Sequence, residues 1–153
     1  MNLFCRLLPV SLILINISCV SDGGATDLQE LNGSVNGEAW TLKMAGATRD
    51  LQRKTVEISF YSKEEIGDDP CAIAISGKNH LNIQLPYTED NYSIPSADAN
   101  LIFNFAGSIK SVNASSGFIE LNTIIGNVIS GYLIAEFDDD NKVEGQFRAT
   151  ICF

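Results

Sequence analysis

Ile119-Glu120-Leu121-Asn122-Thr123-Ile124-Ile125-Gly126-Asn127-Val128-Ile129-Ser130-Gly131-Tyr132-Leu133-Ile134-Ala135-Glu136-Phe137 is the stretch that decides the fold class. Ile119, Leu121, Thr123 and Ile125 occupy alternate positions, and so do Ile129, Gly131, Leu133, Ala135 and Phe137. A period of two is that of a strand with one buried face, whereas a helix would repeat near 3.6. Gly126-Asn127 between the two runs suits a type II′ or similar tight turn, because glycine takes the positive φ such a turn requires. The two runs are therefore expected to pair as an antiparallel hairpin.

The same reading extends in both directions. Downstream, the acidic stretch Asp138-Asp139-Asp140-Asn141 leads into Val143, Gly145, Phe147, Ala149 and Ile151, a second hairpin. Upstream, Val56, Ile58 and Phe60 alternate with Thr55, Glu57, Ser59 and Tyr61, while Leu81, Ile83 and Leu85 alternate with Asn82 and Gln84. Trp40, Leu42 and Met44 form a further expected face, as do Cys71, Ile73 and Ile75, and Leu101, Phe103 and Phe105. Helical periodicity is missing. Strands separated by Gly, Asn, Asp and Pro turns point to an all-β fold, an antiparallel β-sandwich of about eight or nine strands, with a closed calycin-like barrel as the alternative.

The N-terminal segment gives an address. Leu7 to Cys19 holds an apolar run of roughly 11 residues, which as a helix spans about 16 Å, well short of the roughly 30 Å hydrocarbon core. Arg6 precedes the run, and the polar, glycine-rich Ser21-Asp22-Gly23-Gly24-Ala25-Thr26-Asp27 follows it, the layout of an export signal and a flexible spacer. Ile17-Ser18-Cys19 resembles the lipobox of bacterial lipoproteins, in which the cysteine becomes the diacylated first residue of the mature protein. One position departs from that motif: Asn16 stands where it prefers Leu, and the rival reading is cleavage nearby, for example after Ser21, to give a freely secreted protein. The expected layout is a signal peptide over 1–18, a lipidated Cys19 with a flexible tether over 19–30, and a single β domain over 31–153. That length is enough to bury a hydrophobic core.

Charge excludes several partners. With Arg6 gone, nine basic residues stand against 19 acids. Nucleic acid is not an expected partner, since its phosphates need Lys and Arg; the overall balance argues equally against electrostatic binding to an anionic membrane surface, and membrane attachment is expected through lipid on Cys19. Of the four cysteines, Cys5 leaves with the signal and Cys19 is occupied by lipid. Cys71 and Cys152 remain, and outside the cytoplasm their default state is a disulfide, the alternative being two separate buried thiols. The bridge would close a loop of about 80 residues, worth about 4 to 5 kcal/mol in the chain-entropy model. Cys152 falls on the opposite strand face from Ile151, so a bulge or a frayed end is expected to bring the two sulfurs together.

No residue set announces chemistry, and no catalytic, cofactor-binding or metal site is assigned. Asp138, Asp139, Asp140 and Glu144 lack the spacing of an EF-hand loop, which Lys142 and Val143 interrupt. Glu64, Glu65, Asp68 and Asp69 read as a solvated loop before Pro70. His80 is the only histidine and no Gly-x-Ser-x-Gly elbow occurs. Glu57, Glu120 and Glu136 all lie on expected strands, which leaves a small secreted hydrolase as an alternative. Trp40 is expected in the core. Lipocalin-type barrels carry Gly-x-Trp on their first strand; Gly37-Glu38-Ala39-Trp40 is one residue longer, and Arg148 is placed to pack on the indole, so a carrier of a small apolar ligand is a further alternative. Tyr61, Tyr87, Tyr92 and Tyr132 are candidate stacking residues for sugars or peptides.

The longest resemblance covers nearly all of the mature chain. Leu31-Asn32-Gly33-Ser34-Val35-Asn36-Gly37-Glu38-Ala39-Trp40, the central Pro70-Cys71, and Ala135-Glu136-Phe137-Asp138-Asp139 followed by Val143-Glu144-Gly145-Gln146-Phe147-Arg148-Ala149-Thr150-Ile151-Cys152 carry it. The chain resembles the uncharacterised small β-rich lipoproteins of Bacteroidota, a family of unknown function. The resemblance implies a cell-envelope protein lipid-anchored at the outer membrane, facing the periplasm or the surface, and adds no activity; the signal, the acidic composition and the lack of a catalytic set lead to the expectation of a non-enzymatic binding or structural module. Its ligand, whether protein, glycan or small molecule, is not implied, and no cofactor is.

Overall fold

The computed structural model describes residues 29–62, 69–72, 79–105 and 110–153. The signal segment, Cys19, Glu64, Glu65, Asp68, Ile73 and Ile75 lie outside the described residues. Ten strands form, and no helix occurs among the described residues: β1 (Asn32–Val35), β2 (Glu38–Asp50), β3 (Thr55–Ser62), β4 (His80–Pro86), β5 (Asn91–Ile94), β6 (Asn100–Asn104), β7 (Ser111–Asn113), β8 (Ser116–Ile125), β9 (Val128–Asp138) and β10 (Asn141–Cys152). β1, β5 and β7 go beyond the expected set. At three or four residues each, they are too short to show a period.

All ten belong to one sheet, ordered β5-β8-β9-β10-β1-β2-β3-β4-β6-β7. Pairings are antiparallel except that the end of β10 runs parallel to β2, Ala149 opposite Ala45 through Cys152 opposite Thr48. That order forces the sheet to curl. β4 and β5 stand seven places apart, about 34 Å in a flat sheet at roughly 4.8 Å per strand. The link from Pro86 to Asn91 spans at most about 18 Å. The links from β5 to β6 and from β7 to β8 likewise join strands far apart in the order. The result is an all-β, curled half-barrel that wraps a single core.

The core follows the alternation. Val56, Ile58 and Phe60 of β3, Leu81, Ile83 and Leu85 of β4, and Val143, Phe147, Ala149 and Ile151 of β10 are all buried, as is Trp40. Phe60 meets Phe147 edge to face, ring centroids 5.0 Å apart. They meet because the residue facing Phe60 on β2 is Ala45 and the residue facing Phe147 on β9 is Gly131. A Cβ on Gly131 would lie 2.7 Å from the Phe147 ring and 2.1 Å from the Glu120 carbonyl oxygen.

Two bulges shift the expected phase. In β2 the register slips between Leu42 and Met44, so Leu42 is buried but Ala45 and Ala47, not Met44, continue the inner face. In β8 it slips between Leu121 and Thr123. Ile124 then packs against the core, and Ile125, expected inside, is 71% exposed. One extra residue in a strand inverts every side chain beyond it.

Both expected hairpins form. Ile125 faces Val128 across Gly126-Asn127, and Gly126 has φ +60°. Asp138 faces Asn141 in the second. Asn141 is buried there: its Nδ2 donates to both Asp138 carboxylate oxygens at 2.7 and 2.8 Å, and its Oδ1 accepts from the Gly37 N–H at 2.7 Å. One side chain therefore fastens the β9–β10 turn to the β1–β2 turn.

Cys71 and Cys152 are joined, Cα atoms 5.4 Å apart. The route differs from the expected one. Cys71 is not a strand residue aligned with Ile73 and Ile75; it sits in a turn begun by Pro70, with its N–H donating to Asp69 Oδ1 at 2.8 Å. The turn lies on the outside of β2 over Gly46, whose absent Cβ would come 2.8 Å from the Pro70 carbonyl oxygen. Cys152 keeps its outward strand orientation, and no bulge near it is needed.

Candidate functional site

Outer-face residues of β3, β4 and β6 align into three rows because their registers agree. Glu57 faces Gln84, which faces Asn100; Ser59 faces Asn82, which faces Ile102; Tyr61 faces His80, which faces Asn104. Alternation puts these side chains outside, and cross-strand pairing makes them neighbours.

The rows differ in exposure. Tyr61 is 2% exposed and His80 6%, although both point away from the core. Their rings stand 5.8 Å apart, His80 Nε2 lies 3.3 Å from Asn104 Nδ2, and burial pushes the Tyr61 hydroxyl pKa up. The next rows open to solvent in a cleft of about 530 Å³, lined by Glu57, Asn82, Gln84 and Asn100, with Arg53 and the Ser96–Ala99 turn at its borders. Ser96 Oγ accepts from the Ala99 N–H at 3.0 Å, which closes that turn. A smaller cleft of about 180 Å³, lined by Thr48, Glu57, Ser59, Tyr61 and the Cys71–Cys152 bridge, adjoins it.

Asn82 donates to Glu57 Oε1 at 2.8 Å and to Ser59 Oγ at 3.0 Å. Its amide hydrogens are thereby engaged, and its carbonyl oxygen is what it has left to offer. Gln84 and Asn100 add amides with both donor and acceptor capacity, Glu57 and Asp98 add carboxylates, and Arg53 at the border is paired with Asp50 at 3.7 Å. Such a lining suits a polar ligand that carries no negative charge and is rich in hydroxyl or amide groups.

Other expected candidates are dispersed. Glu120 and Glu136 are outward and four residues apart in register, since Glu120 faces Tyr132 and Ser116 faces Glu136. That spacing is about 13 Å, beyond the separation at which two carboxylates cooperate on a glycosidic bond. Glu57 lies on β3, four places away from β9 in the strand order. Asp138 is turned onto Asn141, while Glu144 accepts from Tyr132 at 2.6 Å and pairs with Lys142 at 2.7 Å, so the acidic hairpin does not converge on one point. Among the described residues no group of three or more His, Cys, Asp or Glu side chains could hold a metal ion.

Trp40 is buried as expected, with its Nε1 lacking a hydrogen-bond partner. Arg148 does not pack on it. Phe147 and Ala149 point inward, so Arg148 between them projects into solvent on the opposite side of the sheet. Of the tyrosines considered for stacking, Tyr61 is buried, and Tyr87 and Tyr92 pack against the core. Tyr132 remains on the outer face, its ring centroid 6.1 Å from that of Phe118.

The cleft was not legible as a site in the sequence. Asn82, Gln84 and Glu57 were readable as outward residues, but Asn100 and the Ser96–Ala99 turn join them only through the β4–β6 register. Comparison with family models, curated proteins and solved structures finds no match.

Proposed function

We propose that this protein is a lipid-anchored domain of the bacterial cell envelope that binds rather than catalyses, with the outer-face cleft as its binding site. The address rests on the apolar run ending in Ser18-Cys19 and on a Cys71–Cys152 bridge that suits an oxidising compartment. The observation that carries the binding role is the cleft of about 530 Å³ lined by Glu57, Asn82, Gln84 and Asn100. Carriage of an apolar ligand inside the sheet is disfavoured by Phe60 and Phe147, which meet across the interior. Hydrolysis by paired carboxylates is disfavoured by the dispersion of Glu57, Glu120 and Glu136.

Two measurements test the proposal. Intact mass of the protein from the membrane fraction should show acyl chains on Cys19, and an unmodified thiol there would remove the anchor. NMR titration with neutral oligosaccharides should shift Asn82, Gln84 and Asn100 amide signals, and Asn82→Ala should weaken binding about tenfold, the loss of one good hydrogen bond. Shifts confined to other surfaces, with any ligand, would reassign the site.

A further inference from the structure

The two ends of the half-barrel differ in chemistry. At one end stand the β1–β2 and β9–β10 turns, carrying Glu38, Asp138, Asp139 and Asp140. At the other stand the β2–β3 turn, the β8–β9 turn and the end of β10, brought together by the Ile151 N–H donating to the Asn127 carbonyl and by the parallel pairing of β10 with β2. Here Leu51 is 73% exposed and Ile125 71%, two of the five large apolar side chains exposed among the described residues. Phe153 projects at the same end.

Arg49, Arg53 and Lys54, three of the nine basic residues that follow Cys19, stand at the β2–β3 turn beside Leu51, with the Arg49 guanidinium 5.2 Å from the Phe153 ring centroid. The nearby acids are engaged: Asp50 Oδ1 accepts from the N–H groups of Gln52 and Arg53 at 2.9 and 3.0 Å while its Oδ2 makes an exposed, easily exchanged ion pair with Arg53 Nε at 3.7 Å, and Glu89 Oε1 accepts from the Ile124 N–H at 2.8 Å. Apolar side chains at turn tips beside basic residues, opposite an acidic pole, match an anionic bilayer surface: the tips enter the headgroup region and the cations meet the phosphates.

We infer that this end, centred on Leu51 and Ile125, docks on the surface of an anionic phospholipid bilayer and orients the domain there. The inference rests on the lipid anchor at Cys19, and the length of chain supports it. The sheet takes hold of the chain at Gln29, whose carbonyl accepts from the Gln146 N–H midway along β10. From there to the apolar end is about 25 Å at roughly 3.3 Å per residue. The ten residues from Cys19 to Gln29 reach at most about 35 Å. An acylated Cys19 can therefore lie in the same membrane that the tips touch, and the acidic pole points away from it.

The test is hydrogen exchange on the full acylated protein, reconstituted into vesicles of equal parts phosphatidylethanolamine and phosphatidylglycerol, or of phosphatidylcholine alone. Amides of Leu51 to Lys54 and Gly126 to Val128 should exchange about tenfold more slowly on the anionic vesicles, while Asn36-Gly37 and Asp139-Asp140 stay unchanged. The double variant Leu51→Glu/Ile125→Glu, at sites where no core contact is lost, should abolish the slowing. Equal exchange at the two ends, or slowing that survives the double variant, would overturn the docking. Protection that appears without vesicles and grows with protein concentration would also overturn it, assigning the surface to a second copy of the chain. If mass measurement finds Cys19 unmodified, flotation of the same protein with added anionic vesicles still reads the tips, so loss of the anchor and loss of the docking surface are separable.

Discussion

Phe147 shows how much a single position depends on its neighbours. Its ring reaches Phe60 because Gly131 has no side chain, and the period of two marks Gly131 as inward without saying what fills its space. Gly131→Ala should destabilise the fold by about 2 to 3 kcal/mol, the cost of forcing a methyl group into a packed core, read as a lower urea midpoint with an unchanged slope. On the outer face, Tyr132 donates to Glu144, which pushes the Tyr132 pKa up to about 12 from 10.0, and the Lys142 and Tyr132 contacts hold the Glu144 pKa below its ordinary value. The signs differ. Stability from Tyr132 is intact below pH 10 and is lost as pH rises toward 12, whereas that from Glu144 is present at neutral pH and is lost as pH falls through its lowered value. Glu144→Gln should return the ultraviolet titration of Tyr132 toward 10, measured against the Tyr132→Phe protein as blank.

Among the elements, the hairpins were the most legible. Gly126-Asn127 and Asp138 to Asn141 lie between alternating runs, and turn chemistry is local. The bulges in β2 and β8 were not, because an inserted residue leaves a sequence that still alternates on paper; Ile125 and Met44 were misplaced for that reason. Asn141 likewise reads as a turn residue, yet it joins two hairpins about a hundred residues apart in the chain. Asn141→Ala leaves the Gly37 N–H without its acceptor and should cost about 1 to 3 kcal/mol, seen as faster hydrogen exchange in both turns at once. Faster exchange in the β9–β10 turn alone would show that the two hairpins are not coupled through this side chain.

At the scale of the molecule, the sheet curls because short links join strands far apart in its order, and the disulfide adds a second closure on the outside. It fastens the Asp69–Ala72 turn over β2 and ties it to the end of β10, where β10 changes neighbour from β1 to β2. Replacing both cysteines, Cys71→Ser with Cys152→Ser, should lower stability by about 4 to 5 kcal/mol in chemical denaturation, a loop of about 80 residues being freed in the unfolded chain. The outward face of Tyr61 and His80 should become more accessible in the same variant, read as faster exchange of the His80 ring protons. A double variant as stable as the parent would mean that the bridge only records the compartment and does not hold the fold.

Taken by itself, the sequence determined the all-β class, the two C-terminal hairpins and most of the inward residues, because alternation and turn chemistry are properties of short stretches. Only the tertiary structure decided the strand order, the curl, the outward route of the disulfide, the polar cleft across β3, β4 and β6, and the opposition of an acidic pole to an apolar, basic one. Those depend on register between strands distant in the chain. Register is set by core packing and by bulges whose presence no local pattern reveals.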